Sequence, residues 1–283
     1  MTTPSSLMKA WNLRPKKGMG QNFLADRAAA QKIVSRAQVE PEDLVLEIGA
    51  GLGSLTRPIA KAVRKVYAIE KDRTLMGPLQ SELLAAGIDN VVLINQDILT
   101  LDVVSIAQKE RHPLVVMGNI PYNISSQILV QLIQSRNHLK KAILMFQKEL
   151  AQRIMASPGS KAYGRLAVMA GYCAWVSVLT EIRAAHFHPK PKVDSQVLIL
   201  NFKKQMTLAA ENESFFFKVV KASFSKRRKT LKNSLAGPVL GIDAGTAERH
   251  LLGAGIDPVR RAETLRVEEF VQLSNCLYAD GYR

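Results

Sequence analysis

Short apolar runs rich in β-branched residues alternate with segments of helical period along the first part of the chain. The runs predict strands at residues 44–48, 65–69, 91–95, 114–118 and 142–146. The segments between them predict helices at residues 55–63, 74–86 and 125–135. Strands that alternate with helices in this way form a parallel sheet. Two later runs, residues 176–182 and 196–202, flank a proline-bearing loop and predict an antiparallel edge on that sheet.

The pattern changes near residue 205. Beyond it, amphipathic helical stretches are predicted at residues 213–224, 227–235, 246–252 and 267–277, and no further strand is indicated. We therefore expect an α/β domain over residues 1–205 and a small all-helical domain over residues 206–283.

Composition narrows the class of protein. Hydrophobic residues make up 47% of the 283 residues and charged residues 22%, which suits a folded core. No run approaches the roughly 20 apolar residues of a membrane-spanning helix, and the first residues do not have the pattern of a secretion signal. Cys173 and Cys276 are far apart and match neither a disulfide framework nor a metal site, so we expect a cytoplasmic protein without a bound metal.

The net charge of +15 (39 basic against 24 acidic residues) is concentrated in parts of the chain. Residues 218–232 contain seven basic side chains and no acidic one, and the first 25 residues contain four basic side chains and no acidic one. A basic helix face that is merely solvated is the alternative interpretation. Without acidic partners for these side chains, we favour binding to a nucleic acid, whose phosphates attract such patches.

A glycine loop follows the first predicted strand. Gly49, Gly51 and Gly53 allow a sharp turn and close approach of a ligand to the backbone, as in nucleotide-binding βαβ units. The dinucleotide fingerprint requires a third glycine at Ser54, so the loop better suits a nucleoside without a pyrophosphate. S-adenosylmethionine is the obvious candidate. A purely structural turn remains the alternative.

Acidic residues end the next two strands. Glu70 lies where it can bind a ribose diol, and Asp97 can accept a hydrogen bond from an adenine amino group. Asp97 can equally be an ordinary helix cap.

The motif Asn119-Ile120-Pro121-Tyr122 follows the fourth strand. The exocyclic amine of adenine is a weak nucleophile, because its lone pair is delocalised into the ring. The Asn119 side-chain carbonyl and the Ile120 backbone carbonyl can accept its two hydrogens, while Tyr122 stacks on the base. The motif alone can also be a plain turn; after a glycine loop at this spacing it favours methyl transfer to an adenine.

Together these segments are similar to the ribosomal RNA adenine N6-dimethyltransferases, most of all to the bacterial small-subunit (16S) branch. The similarity extends from about Lys16 to Asn275 and rests on residues 20–24, 47–56, 118–125, 147–149, 160–166, 187–195 and 224–233. It implies a Rossmann-like class I methyltransferase sheet with a small helical domain. It also implies transfer of four methyl groups from S-adenosylmethionine to two adjacent adenosines in the hairpin near the 3′ end of 16S RNA.

The resemblance also implies residue roles. Those matching the family's cofactor contacts are Asn22, Leu24, Gly49, Gly51, Glu70, Asp97 and Asn119. Asn119 and Tyr122 match its target-base residues. Phe187 matches an aromatic residue on the other side of the base. A phenylalanine at such a position is more often a core residue, but Pro189 and Pro191 favour a rigid exposed loop here. Small-subunit RNA is expected to contact Lys16, Lys17, Lys226, Arg227, Arg228 and Lys229.

Three other functions remain as alternatives. An antibiotic-resistance dimethyltransferase of large-subunit RNA shares the glycine loop and the Asn-Ile-Pro-Tyr type of motif, but residues 224–233 and 255–263 favour the small-subunit branch. DNA adenine methyltransferases usually carry Asp and Pro in place of Asn119 and Ile120. A non-catalytic assembly factor is disfavoured by the intact cofactor motifs. We expect a monomer that does not bind membranes.

Overall fold

The structure is a computed structural model that describes residues 3–206, 208–226 and 228–283, except for the Lys17 side chain. The chain divides into two compact units. The first contains the residues up to Ala151 together with Trp175–Phe202, and the second contains Gln152–Ala174 and Lys203–Arg283. The sequence predicted one boundary near residue 205; the chain instead also contributes residues 152–174 to the second unit. The reason is apolar packing, since the Tyr172 ring lies 4.5 Å from that of Phe216.

The nine strands are β1 (Phe23–Leu24), β2 (Leu44–Ile48), β3 (Lys65–Ile69), β4 (Val91–Ile94), β5 (Leu114–Asn119), β6 (Leu139–Gln147), β7 (Ala174–Ile182), β8 (Phe187–His188) and β9 (Ser195–Phe202). Seven of them form one sheet in the order β4-β3-β2-β5-β6-β9-β7. Strands β2 to β6 pair in parallel, and β9 pairs antiparallel to β6. The predicted parallel sheet and its antiparallel edge are therefore confirmed. The short strands β1 and β8 pair separately.

The helices are α1 (Pro4–Ala10), α2 (Arg27–Arg36), α3 (Thr56–Ala60), α4 (Met76–Ala85), α5 (Val103–Glu110), α6 (Ser125–Gln134), α7 (Lys148–Ile154), α8 (Arg165–Cys173), α9 (Glu213–Ser223), α10 (Leu231–Leu235), α11 (Ala244–Gly253) and α12 (Val267–Ala279). Helix α8 corresponds to a helix-like stretch that the sequence indicates after Tyr163, whereas α1, α2, α5 and α7 were not predicted. In α2, two of the four buried residues are alanines and the other face is polar, so the segment has few large apolar residues to mark it as a buried helix.

The central strands are buried on both faces, as their continuous apolar runs require. Their parallel direction brings the carboxyl ends of β2, β3, β4 and β5 to one edge of the sheet, where open α/β sheets bind ligands. The N-terminal segment is held to this domain by a small apolar cluster of Leu7, Met8, Phe23, Leu52 and Leu75.

The second unit has its own aromatic core. The ring centroids of Phe224 and Phe270 lie 5.7 Å apart, and Tyr163 packs edge-on against Phe224 at 6.2 Å. Among the described residues, no helix is long and apolar enough to span a bilayer.

Candidate active site

A cavity opens at the carboxyl edge of the sheet, walled by the N-terminal segment (residues 18–23), the glycine loop and the turn after β5. Most of the residues predicted for the site line it: Asn22, Gly49, Gly51, Glu70, Asp97, Asn119 and Tyr122. Two of the predicted residues, Leu24 and Phe187, do not. The lining also includes Met19, Lys71 and Gln96, which the sequence did not single out.

The glycine loop is shaped by positive backbone dihedrals. Gly49 has φ of +74° and Gly51 has φ of +57°, a region that side chains with a Cβ rarely adopt. A Cβ on Gly51 would lie 3.1 Å from the Phe23 ring, and one on Gly118 would lie 2.5 Å from the Ile48 carbonyl oxygen. Glycine at these positions therefore allows the backbone strands and the N-terminal segment to approach closely around the cavity.

The Glu70 carboxylate fixes the glycine loop to the end of β3. Its Oε2 accepts the Gly51 N–H at 2.9 Å, and its Oε1 accepts the Asp72 N–H at 2.7 Å. Burial raises the pKa of Glu70, although these backbone hydrogen bonds oppose the shift. A carboxylate has about four acceptor positions, so Glu70 keeps acceptor capacity for a hydroxyl group of a ligand in the cavity.

Asp97 has two partners. Its Oδ1 accepts the Leu99 N–H at 3.0 Å and caps a short turn, while its Oδ2 pairs with Lys71 Nζ at 2.8 Å. The hydrogen bond from Lys71 lowers the pKa of Asp97, so this carboxylate stays charged at neutral pH. The interpretation of Asp97 as a helix cap is thus correct, and the same side chain also lines the cavity.

Asp72 holds the N-terminal segment in place, which the sequence did not predict. Its buried carboxylate accepts from Lys16 Nζ at 2.7 Å, from Gln21 Nε2 at 2.8 Å and from the Thr74 hydroxyl at 2.7 Å. Burial works against ionisation here, but the hydrogen bonds from Lys16, Thr74 and Gln21 prevail and lower the pKa of Asp72 to about 2. The wall formed by residues 18–23 is therefore anchored on both sides of Gly18.

Asn119 ends β5, and its amide has a defined orientation. Its Nδ2 donates to the Asn22 carbonyl at 2.8 Å, which leaves Oδ1 as an acceptor on the cavity wall. Nearby, the Ile120 N–H donates to the Met145 carbonyl at 3.2 Å. The Tyr122 hydroxyl lies 3.1 Å from the hydroxyl of the buried Ser195, which holds the ring at the cavity.

Leu24 and Phe187 lie in the core instead. They face each other across the β1–β8 pair, with exposed fractions of 3% and 4%. The prediction that Phe187 lies on an exposed loop is therefore wrong, because pairing of β8 with β1 draws the ring inward. A role of Phe187 on the target base stays a prediction, and it would require the ring to leave this core.

Replacing Phe187 distinguishes a role in packing the core from a role in contacting the target base. Phe187→Ala should lower the free energy of unfolding by about 3–5 kcal/mol, since it leaves a cavity in a packed core. Urea unfolding measures this effect, and Phe187→Leu should retain most of the stability. An alanine variant of unchanged stability that is defective only in catalysis would support the base contact instead.

Glu47 lies two residues before the glycine loop and is fully buried, with no hydrogen-bond partner for its Oε2 among the described residues. Burial raises the pKa of Glu47 to about 7, and the neighbouring charge of Glu70 adds to the shift. The folded protein thus keeps this proton up to about pH 7, whereas the unfolded chain loses it near the ordinary value of 4.5. Raising the pH between these values therefore lowers stability.

We expect Glu47→Gln to remove this dependence on pH. The variant should match the natural protein near pH 4.5 and exceed its free energy of unfolding by about 3 kcal/mol at pH 8. Denaturant unfolding of both proteins across this range measures the difference. A difference that does not grow with pH would contradict the buried, protonated carboxyl.

The side chains predicted to bind RNA differ in whether they are already bound within the protein. Lys16 is paired with Asp72, and Lys226 Nζ donates to the carbonyls of Asn233 and Ala236. Arg228 and Lys229 are exposed. The predictions for the Lys17 side chain and for Arg227 lie outside the described residues. Within the described residues, no cluster of three or more His, Cys, Asp or Glu side chains is arranged to hold a metal ion.

Comparisons with known proteins agree with this geometry. The family described as "Ribosomal RNA adenine dimethylase" matches residues 12–279. A protein of Desulforapulum autotrophicum named "Ribosomal RNA small subunit methyltransferase A" is 50% identical over 279 residues, covering 99% of this chain and 98% of its own. A protein of the same name from Syntrophotalea carbinolica is 43% identical over 266 residues, covering 94% and 98%.

Solved structures agree as well. A dimethyladenosine transferase from Plasmodium falciparum has a TM-score of 0.75 at 26% identity, covering 92% of this chain and 98% of its own. The 23S rRNA methyltransferase ErmE has a TM-score of 0.68 at 26% identity, covering 90% and 99%.

The sheet order, the glycine loop, the acidic residue after β3 and the Asn-Ile-Pro-Tyr turn after β5 define a Rossmann-like methyltransferase that uses S-adenosylmethionine. With the match over nearly its whole length, the chain belongs to the ribosomal RNA adenine dimethylase family.

Proposed function

We propose that this chain dimethylates two adjacent adenosines at N6 in the hairpin near the 3′ end of small-subunit ribosomal RNA, during assembly of the subunit. The observation that carries the proposal is the Asn119 amide. Asn119 lines the cavity and its nitrogen donates to the Asn22 carbonyl, so its oxygen is the atom that can accept a hydrogen bond from an amine. Relatives that match over full length carry the corresponding small-subunit name.

The residues of the cavity fit S-adenosylmethionine. The remaining acceptor capacity of Glu70 suits a ribose hydroxyl, and Asp97 suits the adenine amino group. Gly49 and Gly51 leave room for a ligand against the backbone, and Asn22 lines the opposite wall. When bound, the cofactor supplies a methyl group on a sulfonium, which an amine nitrogen can attack.

The turn after β5 is proposed to hold the target base. The Asn119 Oδ1 and the Ile120 carbonyl accept the two N6 hydrogens, which directs the nitrogen lone pair away from the ring. The Tyr122 ring stacks on the base once it has left the RNA helix. The alkylated amine is acidic and loses its proton readily, so a strong general base is not needed.

The exposed Arg228 and Lys229 are proposed to bind the phosphates of the RNA, together with Lys17 and Arg227. Lys16 and Lys226 contribute mainly to the fold, because each is bound within the protein. We further propose that the enzyme acts in the cytoplasm as a monomer.

The test is incubation of the protein and labelled S-adenosylmethionine with unmethylated small ribosomal subunits, with large-subunit RNA and with DNA, in separate reactions. We expect label as N6,N6-dimethyladenosine in small-subunit RNA only. Label confined to large-subunit RNA would favour the activity named for the structural relative ErmE and overturn the proposed substrate.

A further inference from the structure

A second groove lies on the N-terminal segment, separate from the cofactor cavity. Its polar lining consists of Ser5, Lys9, Asn12, Arg14 and His188. None of the described side chains that line it is acidic. We call this the N-terminal groove.

The basic side chains of the N-terminal groove are available for a ligand. Lys9, Arg14 and His188 are all exposed, and within the described residues none of the three side chains has an ion pair or hydrogen bond. Neighbouring basic residues behave differently: Lys16 is bound to Asp72, and His186 Nδ1 is bound to Asp26 at 2.5 Å. Uncompensated cations in one concave surface attract an anion.

The N-terminal groove is coupled to the catalytic cavity through the backbone. Lys9 and residues 12–14 line the groove, and residues 18–23 of the same segment line the cavity. His188 pairs with Phe23 in the β1–β8 ladder, and the next residue back, Asn22, receives the hydrogen bond from Asn119. The same segment of the protein thus forms one wall of the cavity and carries the N-terminal groove. When a base of the RNA reaches Asn119, the backbone of that RNA strand can meet the basic side chains of the groove.

We propose that the N-terminal groove binds backbone phosphates of the RNA strand that carries the target adenosine, with Lys9 and Arg14 as the phosphate ligands. This inference rests on the proposed function. A base that leaves its stack must be held by its flanking backbone, and phosphate contacts position nucleic acid without reading its sequence. Arg14 offers a planar fork of donors, and Lys9 offers a point charge, both of which suit phosphate oxygens.

The test compares a double variant, Lys9→Ala with Arg14→Ala, with a matched control, Lys32→Ala with Lys109→Ala. The control removes the same charge from exposed lysines on α2 and α5. Affinity for unmethylated small ribosomal subunits is measured between about 50 and 200 mM salt. Cofactor affinity is measured in parallel by calorimetry.

The slope of log affinity against log salt should become shallower by about 1.4 in the groove variant, because each phosphate contact on a single strand contributes about 0.7. The affinity ratio of natural protein to groove variant should then change about sevenfold across this range of salt. The control should keep the natural slope, and both variants should bind the cofactor normally.

Equal slopes in the groove variant and the natural protein would overturn the inference. The same decrease in slope in the control variant as in the groove variant would also overturn it. A fall in cofactor affinity would also overturn it, since the residues would then act through the cavity wall. If the natural protein methylates small subunits but the groove variant keeps its slope, only the groove proposal fails. If the natural protein methylates only large-subunit RNA, the proposed function fails, and the slopes on that RNA still decide the role of the groove.

Discussion

Asn119→Ala should lower the single-turnover rate of methyl transfer by about 100- to 1000-fold, the loss seen when one preorganised polar group is removed from a reacting centre. The substitution removes the Oδ1 acceptor proposed to orient the target amine. It leaves Arg228 and Lys229 untouched, so RNA affinity should remain close to that of the natural protein.

The matched control for this prediction is Asn137→Ala, which changes an exposed asparagine just before β6. Cofactor affinity should be measured as well, because Asn119 also donates to the Asn22 carbonyl in the cavity wall. Loss of RNA binding in Asn119→Ala, with an unchanged rate per bound complex, would contradict the assignment.

Glu70→Gln should lower the affinity for S-adenosylmethionine by about 10- to 100-fold. The Gly51 and Asp72 N–H groups bind different oxygens of the Glu70 carboxylate, and a glutamine replaces one of those oxygens with an amide NH2, so a donor would face one of the two N–H groups. Hydrogen bonds to a charged group are worth about 1.5–3 kcal/mol each, which sets the size of the loss.

Titration calorimetry with S-adenosylmethionine measures this loss. Glu42→Gln is the matched control, since Glu42 is exposed and lies before β2, at the other end of that strand from the glycine loop. A Glu70→Gln protein that binds the cofactor normally would show that the carboxylate is a structural support only.

The sequence predicted the sheet well because its central strands are buried on both faces. Continuous apolar runs such as Leu114–Asn119 have no competing helical period, and their ends mark the edge where ligands bind. Glu70 and Asn119 could therefore be placed at one cavity before any contact was known.

Contacts between distant segments could not be predicted in this way. Asp72 binds Lys16 and Gln21, which lie 56 and 51 positions away, and no local pattern links them. Phe187 was misplaced for a related reason. The prolines after it are signals for a loop, but a two-residue pairing with β1 decides the burial of its ring. The division into units was also incomplete, because packing of α8 depends on aromatic partners beyond residue 205.

The hydrogen bond between Asn119 and Asn22 joins residues 97 positions apart. The neighbouring strand Phe23–Leu24 pairs with Phe187–His188, which lies still further along the chain. During synthesis, the contacts of the N-terminal segment with Asp72 and Asn119 can therefore form once residue 119 has been made, whereas Phe23–Leu24 can pair only after translation has passed residue 188. The hydroxyl partner of Tyr122, Ser195, is made later still. The walls of the cavity are thus held by early contacts, but the positioning of the target-base residues is completed only by strands made much later.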